Sequence, residues 1–262
     1  MFRIKMDRTR TAWMMAAWIV VSALTAWANY PQAVLDDKPT GYWRLDETSG
    51  MLAKNVGAVG RAADGTFVNG VFLGRDGAMA GSFAIGIGDA SPHPCIDVPY
   101  NAKFNPRSFS LEMWVKVTGG SQTYRGALSA RIAAGQTRNG YIIYAGQDDR
   151  WQFWLGADDQ GWQIVNGPAV EMNQWVHLVA TYDADSRTQK LYVNAADPVT
   201  QTWEHPMAVN TKAPLRIGAG DTGLHAMFPF RGDIDEVAIY NQVLTPQQVQ
   251  AHYAAGTDAS AR

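Results

Sequence analysis

From residue 108 to residue 117, apolar and polar side chains alternate. Phe109, Leu111, Met113, Val115 and Val117 fall on one face; Ser108, Ser110, Glu112 and Lys116 fall on the other, with Trp114 among them. A period of two marks a strand with one buried face. Similar runs occupy residues 41–46, 140–145, 151–155, 175–182, 190–194, 214–218 and 232–240, separated by segments rich in Gly, Asp, Asn and Pro. One helical pattern stands out. Thr245 caps its start, Pro246 takes the first position and Gln248 follows three residues after the cap. Val249, His252 and Tyr253 form a short apolar face, and Gly256 reads as the stop. Many strands and one terminal helix predict an antiparallel β-sandwich or jelly roll.

The first 28 residues do not share this pattern. Arg3, Lys5, Arg8 and Arg10 precede an uncharged apolar run from Ala12 to Leu24, and Ala26-Trp27-Ala28 has the small-x-small form of a signal-peptidase site. The sequence therefore predicts a signal peptide over 1–28, a single domain over 29–262, and a secreted or periplasmic protein. An uncleaved anchor over 11–28 is the alternative, and no later segment is apolar enough to span a membrane. Removing the leader takes away four basic residues and one acidic residue, which moves the net charge from −2 to about −5. That balance gives no electrostatic footprint for nucleic acid. The lone Cys95 cannot form an internal disulfide and reads as a buried filler, so the fold must rest on its apolar core.

Gly41-Tyr42-Trp43-Arg44-Leu45-Asp46-Glu47, Asp64-Gly65-Thr66-Phe67, Phe109-Ser110-Leu111-Glu112-Met113-Trp114-Val115, Trp175-Val176-His177 through Tyr182-Asp183, and Lys190-Leu191-Tyr192-Val193-Asn194 resemble segments of the laminin G-like, concanavalin A-type jelly rolls of bacterial exported proteins. The closing run, Gly232-Asp233-Ile234-Asp235-Glu236-Val237-Ala238-Ile239-Tyr240-Asn241, is the strongest match. The resemblance implies an all-β, two-sheet antiparallel jelly-roll sandwich with one short C-terminal helix, and core roles for Trp43, Trp114 and Trp175. It also implies one structural calcium ion, with Asp235 supplying a carboxylate and Asn55 a side-chain oxygen. Relatives carry a carboxylate in the loop where this chain has Asn55-Val56-Gly57, so the site here has less charge. The plainer reading of Asp235 is a hydrogen bond or ion pair to the first loop.

Catalytic signatures are missing from the sequence. The paired-carboxylate spacing of β-glucanases does not occur: Asp233 and Asp235 share a strand face on simple alternation, and Glu236 points to the other. There is no Gly-x-Ser-x-Gly elbow, no His-Glu-x-x-His and no phosphate-binding glycine loop. His177, within a strand, reads as a packed residue. Sugar binding needs aromatic platforms beside polar groups. The densest such region is Trp151-Gln152-Phe153-Trp154 followed by Asp158-Asp159-Gln160-Gly161-Trp162. Trp162, Tyr124 and Asp158 are the candidate ligand contacts, with Trp203 in a further loop. The sequence therefore predicts a non-catalytic binding or adhesion module whose partner is a glycan or a cell-surface protein. An assembly protein using an apolar sandwich face is the second reading, and a hydrolase with an atypical site the third.

Overall fold

A computed structural model describes residues 29–90, 92–222 and 227–258. The expected signal peptide lies outside the described residues. Among the described residues sixteen strands occur, in chain order: β1 (Gly41–Trp43), β2 (Leu52–Ala53), β3 (Gly65–Val68), β4 (Phe72–Asp76), β5 (Phe83–Ile87), β6 (Cys95–Val98), β7 (Phe109–Val117) and β8 (Arg125–Ala134). After them come β9 (Thr137–Ala145), β10 (Arg150–Gly156), β11 (Trp162–Ala169), β12 (Val176–Asp183), β13 (Thr188–Val193), β14 (Val199–Thr202), β15 (Leu215–Ile217) and β16 (Gly232–Tyr240). Helix α1 (Tyr30–Asp36) precedes them and α2 (Pro246–Asp258) follows.

The strands form two antiparallel sheets. Sheet A runs β14-β13-β12-β7-β16-β5-β4, with β1 also paired to β16, and sheet B runs β11-β10-β9-β8-β15-β6-β3-β2. This is a jelly-roll sandwich. Between the sheets, Phe109, Leu111, Met113, Val115 and Val117 of β7 meet Tyr141 and Ile143 of β9 and Trp151, Phe153 and Leu155 of β10, all at most 1% exposed. Burial of this kind, at roughly 25 cal/mol per Å² of apolar surface, is the main stabilising term in a chain without disulfides. Cys95 is buried in a separate small cluster with Ala219, its thiol pushed up to about 11 by desolvation.

The face of sheet A away from sheet B is not open to solvent. Helices α1 and α2 pack on it and enclose a second core containing Tyr30, Val34, Trp114, Tyr240, Leu244 and Val249. Helix α1 is an addition to the single helix read from the sequence. Asn29 caps it, its side chain accepting from the Gln32 N–H at 3.1 Å, with proline in its first turn. Seven residues are too few to be helical alone, so Tyr30 and Val34, both fully buried, hold it in place. In α2 the capping box forms as read: Gln248 N donates to Thr245 Oγ1 at 3.2 Å and Thr245 N to Gln248 Oε1 at 2.9 Å. Gly256 is not the stop, because the helix continues to Asp258. Its missing side chain instead lets the helix approach Trp114, whose ring would lie 2.5 Å from an added Cβ. Trp43 and Trp114 are core residues, but Trp175 is only half-buried, with the Lys116 ammonium 4.9 Å from its ring centroid.

Candidate functional site

The outer face of sheet B carries a row of aromatic rings. Phe153 and Leu155 of β10 point into the core, so alternation turns Gln152 and Trp154 outward. Trp154 lies opposite Ile164 in β11 and Ile142 in β9, which places Trp162 and Tyr144 on the same side. Ring centroids lie 5.7 Å apart for Tyr124–Trp154, 5.4 Å for Tyr144–Trp154 and 5.8 Å for Trp154–Trp162. The Arg131 guanidinium lies 5.8 Å from the Trp162 ring. Tyr124, Trp154 and Trp162 are each half-buried, held firmly and still partly open.

The segment after β15 folds across this face. Ser129 Oγ donates to Ala219 O at 2.8 Å, Tyr144 OH donates to Gly220 O at 2.8 Å, and Phe228 adds a ring 6.0 Å from Tyr124. Gly126 permits the crossing, since an added Cβ would sit 2.1 Å from the Gly220 backbone nitrogen. Phe228 had no readable signal in the sequence, since it reaches the row only through this fold-back. Among the sequence candidates, Tyr124 and Trp162 are brought to either side of Trp154. Asp158 lies at the tip of the β10–β11 hairpin, exposed, its backbone paired with Arg138. Trp203 is a covering residue, its indole N–H donating to Gln189 Oε1 at 2.7 Å.

A second constellation is acidic and lies on sheet A. Asp46, Asp235 and Glu236 each place a carboxylate oxygen within 4.8 Å of the others. A β-bulge between Asp235 and Ala238 brings this about. The bulge inserts a residue, and Glu236 takes it up with a φ of +53°. Glu236 therefore leaves the core to Val237 and joins Asp235, correcting the simple alternation that set the two on opposite faces. Asp235 Oδ2 accepts from Ala78 N at 2.9 Å, while Oδ1, fully buried, has no partner. Burial, then the neighbouring Glu236 charge, holds the Asp235 carboxyl well above the usual range. Burial also pushes Glu236 up to about 7, against hydrogen bonding from Tyr42 and the nearby Arg44. An unpartnered buried oxygen among three carboxylates fits a hard cation that takes oxygen ligands.

Asn55 does not fit that role. Its Oδ1 accepts from Tyr42 N at 2.7 Å and Gly57 N at 3.2 Å, which occupies both lone pairs, and its Nδ2 donates to Gly60 O at 2.8 Å. It ties the first loop to β1 instead of ligating. Asn55→Ala is expected to cost roughly 1–3 kcal/mol in denaturant melts, through the stranded Tyr42 N–H, and to leave any calcium response unchanged.

The sandwich with its row of half-open rings defines a lectin-like fold. The family model described as the concanavalin A-like lectin/glucanases superfamily, laminin G type, matches residues 93–250, and the chain belongs to this family. No curated protein matches the sequence. Among solved structures, a Trypanosoma rangeli sialidase in complex with 2,3-difluorosialic acid aligns at TM-score 0.60 and 16% identity, over 86% of this chain and 34% of the sialidase. The binding domain of botulinum neurotoxin DC in complex with SialylT aligns at TM-score 0.63 and 12% identity, over 85% of this chain and 52% of the toxin chain. A botulinum neurotoxin type C structure, whose cell entry depends on two ganglioside molecules, aligns at 0.62 and 13%, over 85% and 52%. At these identities the likeness is one of fold, and this chain spans only about a third to a half of those proteins.

Proposed function

We propose that this protein is an exported, non-catalytic glycan-binding module that uses the outer face of sheet B. The observation that carries this reading is the row Tyr124–Trp154–Trp162, where partly open rings sit beside the side chains of Gln152, Asp148 and Arg131. A pyranose stacks its C–H face on such rings, and its hydroxyls need polar neighbours. The sugar-bound neurotoxin and sialidase structures of the same fold lend the reading support. The non-catalytic part rests on the acidic cluster, where Asp235 and Glu236 are fully buried and no glycosidic bond can pass between them. A glycan array of residues 29–262 is the test. Saturable binding that weakens at least tenfold in Trp162→Ala is expected, and a blank array on folded protein would reject the reading.

Asp46, Asp235 and Glu236 are proposed to hold one structural calcium ion near the start of the closing strand. Calcium at about a hundredfold above its Kd is expected to add about 2.7 kcal/mol of stability. A thermal melt that responds to calcium and not to chelator-treated buffer, and that loses the response in Asp235→Asn, is the check.

A second reading, assembly through the sandwich edge, rests on Met51, Leu52 and Phe72, which are 77%, 47% and 61% exposed beside the edge strands β2 and β4. Sedimentation velocity separates it: a concentration-dependent dimer abolished by Phe72→Ser would favour assembly.

A further inference from the structure

At one end of the aromatic row is a cleft of about 340 Å³ lined by Tyr124, Gln147, Asp148 and Gln152. That volume is at the lower bound of ordinary small-ligand sites, about 300 Å³. Gln152 is 7% exposed, and every polar atom it has is engaged. Its Nε2 donates to Asp148 Oδ1 at 3.2 Å and to Asn166 Oδ1 at 2.8 Å, and its Oε1 accepts from Trp154 Nε1 at 3.0 Å. One buried amide thus fixes both the Trp154 ring and the Asp148 carboxylate. The backbone N–H of Arg150 donates to the same Asp148 oxygen at 3.2 Å.

The other lining groups are open: Asp148 and Gln147 are exposed and Tyr124 is half-buried. Among the described residues, Asp148 Oδ2, the Gln147 amide and the Tyr124 hydroxyl have no hydrogen-bond partner, and Asp148 has no ion-pair partner. The adjacent Asp149 differs in this respect. It is paired with the buried Arg125 guanidinium at 2.5 Å and accepts from Ser121 Oγ at 2.5 Å, so its charge is answered within the fold. The cleft therefore offers an exposed carboxylate held through one of its oxygens, an amide and a phenol beside aromatic rings.

An ionised carboxylate only accepts hydrogen bonds. It selects O–H donors and repels a second anion. We propose that this cleft is a subsite for an uncharged sugar, in which Asp148 Oδ2 accepts from ligand hydroxyls and Gln152 is the positioning residue. The inference rests on the glycan-binding reading above and narrows it to neutral, hydroxyl-rich glycans, excluding uronates.

The test is isothermal titration of the protein with neutral manno-, galacto-, gluco- and xylo-oligosaccharides and with matched oligogalacturonates and oligoglucuronates. At least one neutral series is expected to bind, with the uronates at least tenfold weaker. In Asp148→Asn the neutral ligand is expected to lose about tenfold or more in affinity, since hydrogen bonds to charged groups are the stronger ones. The gap between neutral and acidic ligands is also expected to narrow, with the melting temperature unchanged. Uronates binding as well as neutral sugars would overturn the inference, as would a neutral affinity indifferent to Asp148→Asn, and both would leave the glycan reading intact. Failure of both classes to bind the folded protein would overturn the inference together with that reading.

Discussion

Replacing Glu112 with glutamine is expected to destabilise the protein by about 3–5 kcal/mol, the range for breaking a buried ion pair by removing one partner. Glu112 is fully buried between sheet A and the two helices. It accepts from Tyr30 OH at 2.9 Å, from Tyr240 OH at 2.6 Å, from His177 at 2.8 Å and from His252 Nδ1 at 3.0 Å. His252 Nε2 lies 3.0 Å from Asp37, so both of its ring nitrogens face carboxylates and the ring is held as imidazolium. Burial opposes the Glu112 charge, but the His252 charge and the histidine hydrogen bonds outweigh it, and the carboxyl lies far below the usual range. Burial likewise opposes the His252 charge, and Glu112 and Asp37 overcome it, raising its pKa. A depressed carboxyl stabilises above its unfolded pKa of about 4.3, and that stability is lost as pH falls further. A raised histidine stabilises fully below about 6.5, and that stability is lost as pH rises through its folded value. The contribution of this network to stability should therefore be greatest between about pH 4.5 and 6.5. Urea melts across pH 3–9 check this, and Glu112→Gln should flatten the profile as well as lower it. A Glu112→Gln cost below about 1 kcal/mol would show that the network does not hold the helices.

Trp154→Ala and Trp151→Ala are expected to fail in opposite ways, although the two residues are three apart on one strand. Trp151 points into the core at 1% exposure, and its truncation should cost about 3–5 kcal/mol. Trp154 points outward to the centre of the aromatic row, and its loss should remove at least about 2 kcal/mol of glycan binding, roughly thirtyfold in Kd, at a smaller cost in stability than Trp151→Ala. Paired denaturation and titration experiments separate the two effects. A Trp154→Ala protein that binds as well as the parent would remove sheet B's outer face from the function.

The sequence groups Trp151 and Trp154 in one aromatic region, although the alternation of β10 carries the difference between them. Strand β7 alternates too, and the run read over 108–117 extends it by a single residue; the run read over 232–240 coincides with β16, although a bulge at Glu236 breaks its alternation. Strands β4 and β5 were not legible. Phe72-Leu73-Gly74-Arg75-Asp76 and Phe83-Ala84-Ile85-Gly86-Ile87 break alternation with glycine, and β4 is an edge strand with little buried. Helix α1 escaped because it is shorter than any stable isolated helix and depends on distant partners. Glu112 shows the same limit more sharply. Alternation assigned Ser110, Glu112 and Trp114 to the face away from the core, correctly, but nothing local says that two helices from opposite ends of the chain cover that face. The acidic site was legible only in part: Asp235 was named from the resemblance, whereas Asp46 carried no signal and Glu236 depends on a bulge that periodicity cannot show.

The place of β16 in sheet A sets an order of assembly. It lies between β7 and β5 and is the partner of β1, yet among the described strands it comes last in chain order. At translation rates of about 5–20 residues per second, β1 waits roughly ten to forty seconds for the strand that completes its ladder. Until then sheet A has a gap at its centre, and α2, which closes over Glu112, has not been made. A partial chain consequently has no native end state to settle into. Sheet A is complete only when β16, about 190 residues after β1, takes its place between β7 and β5.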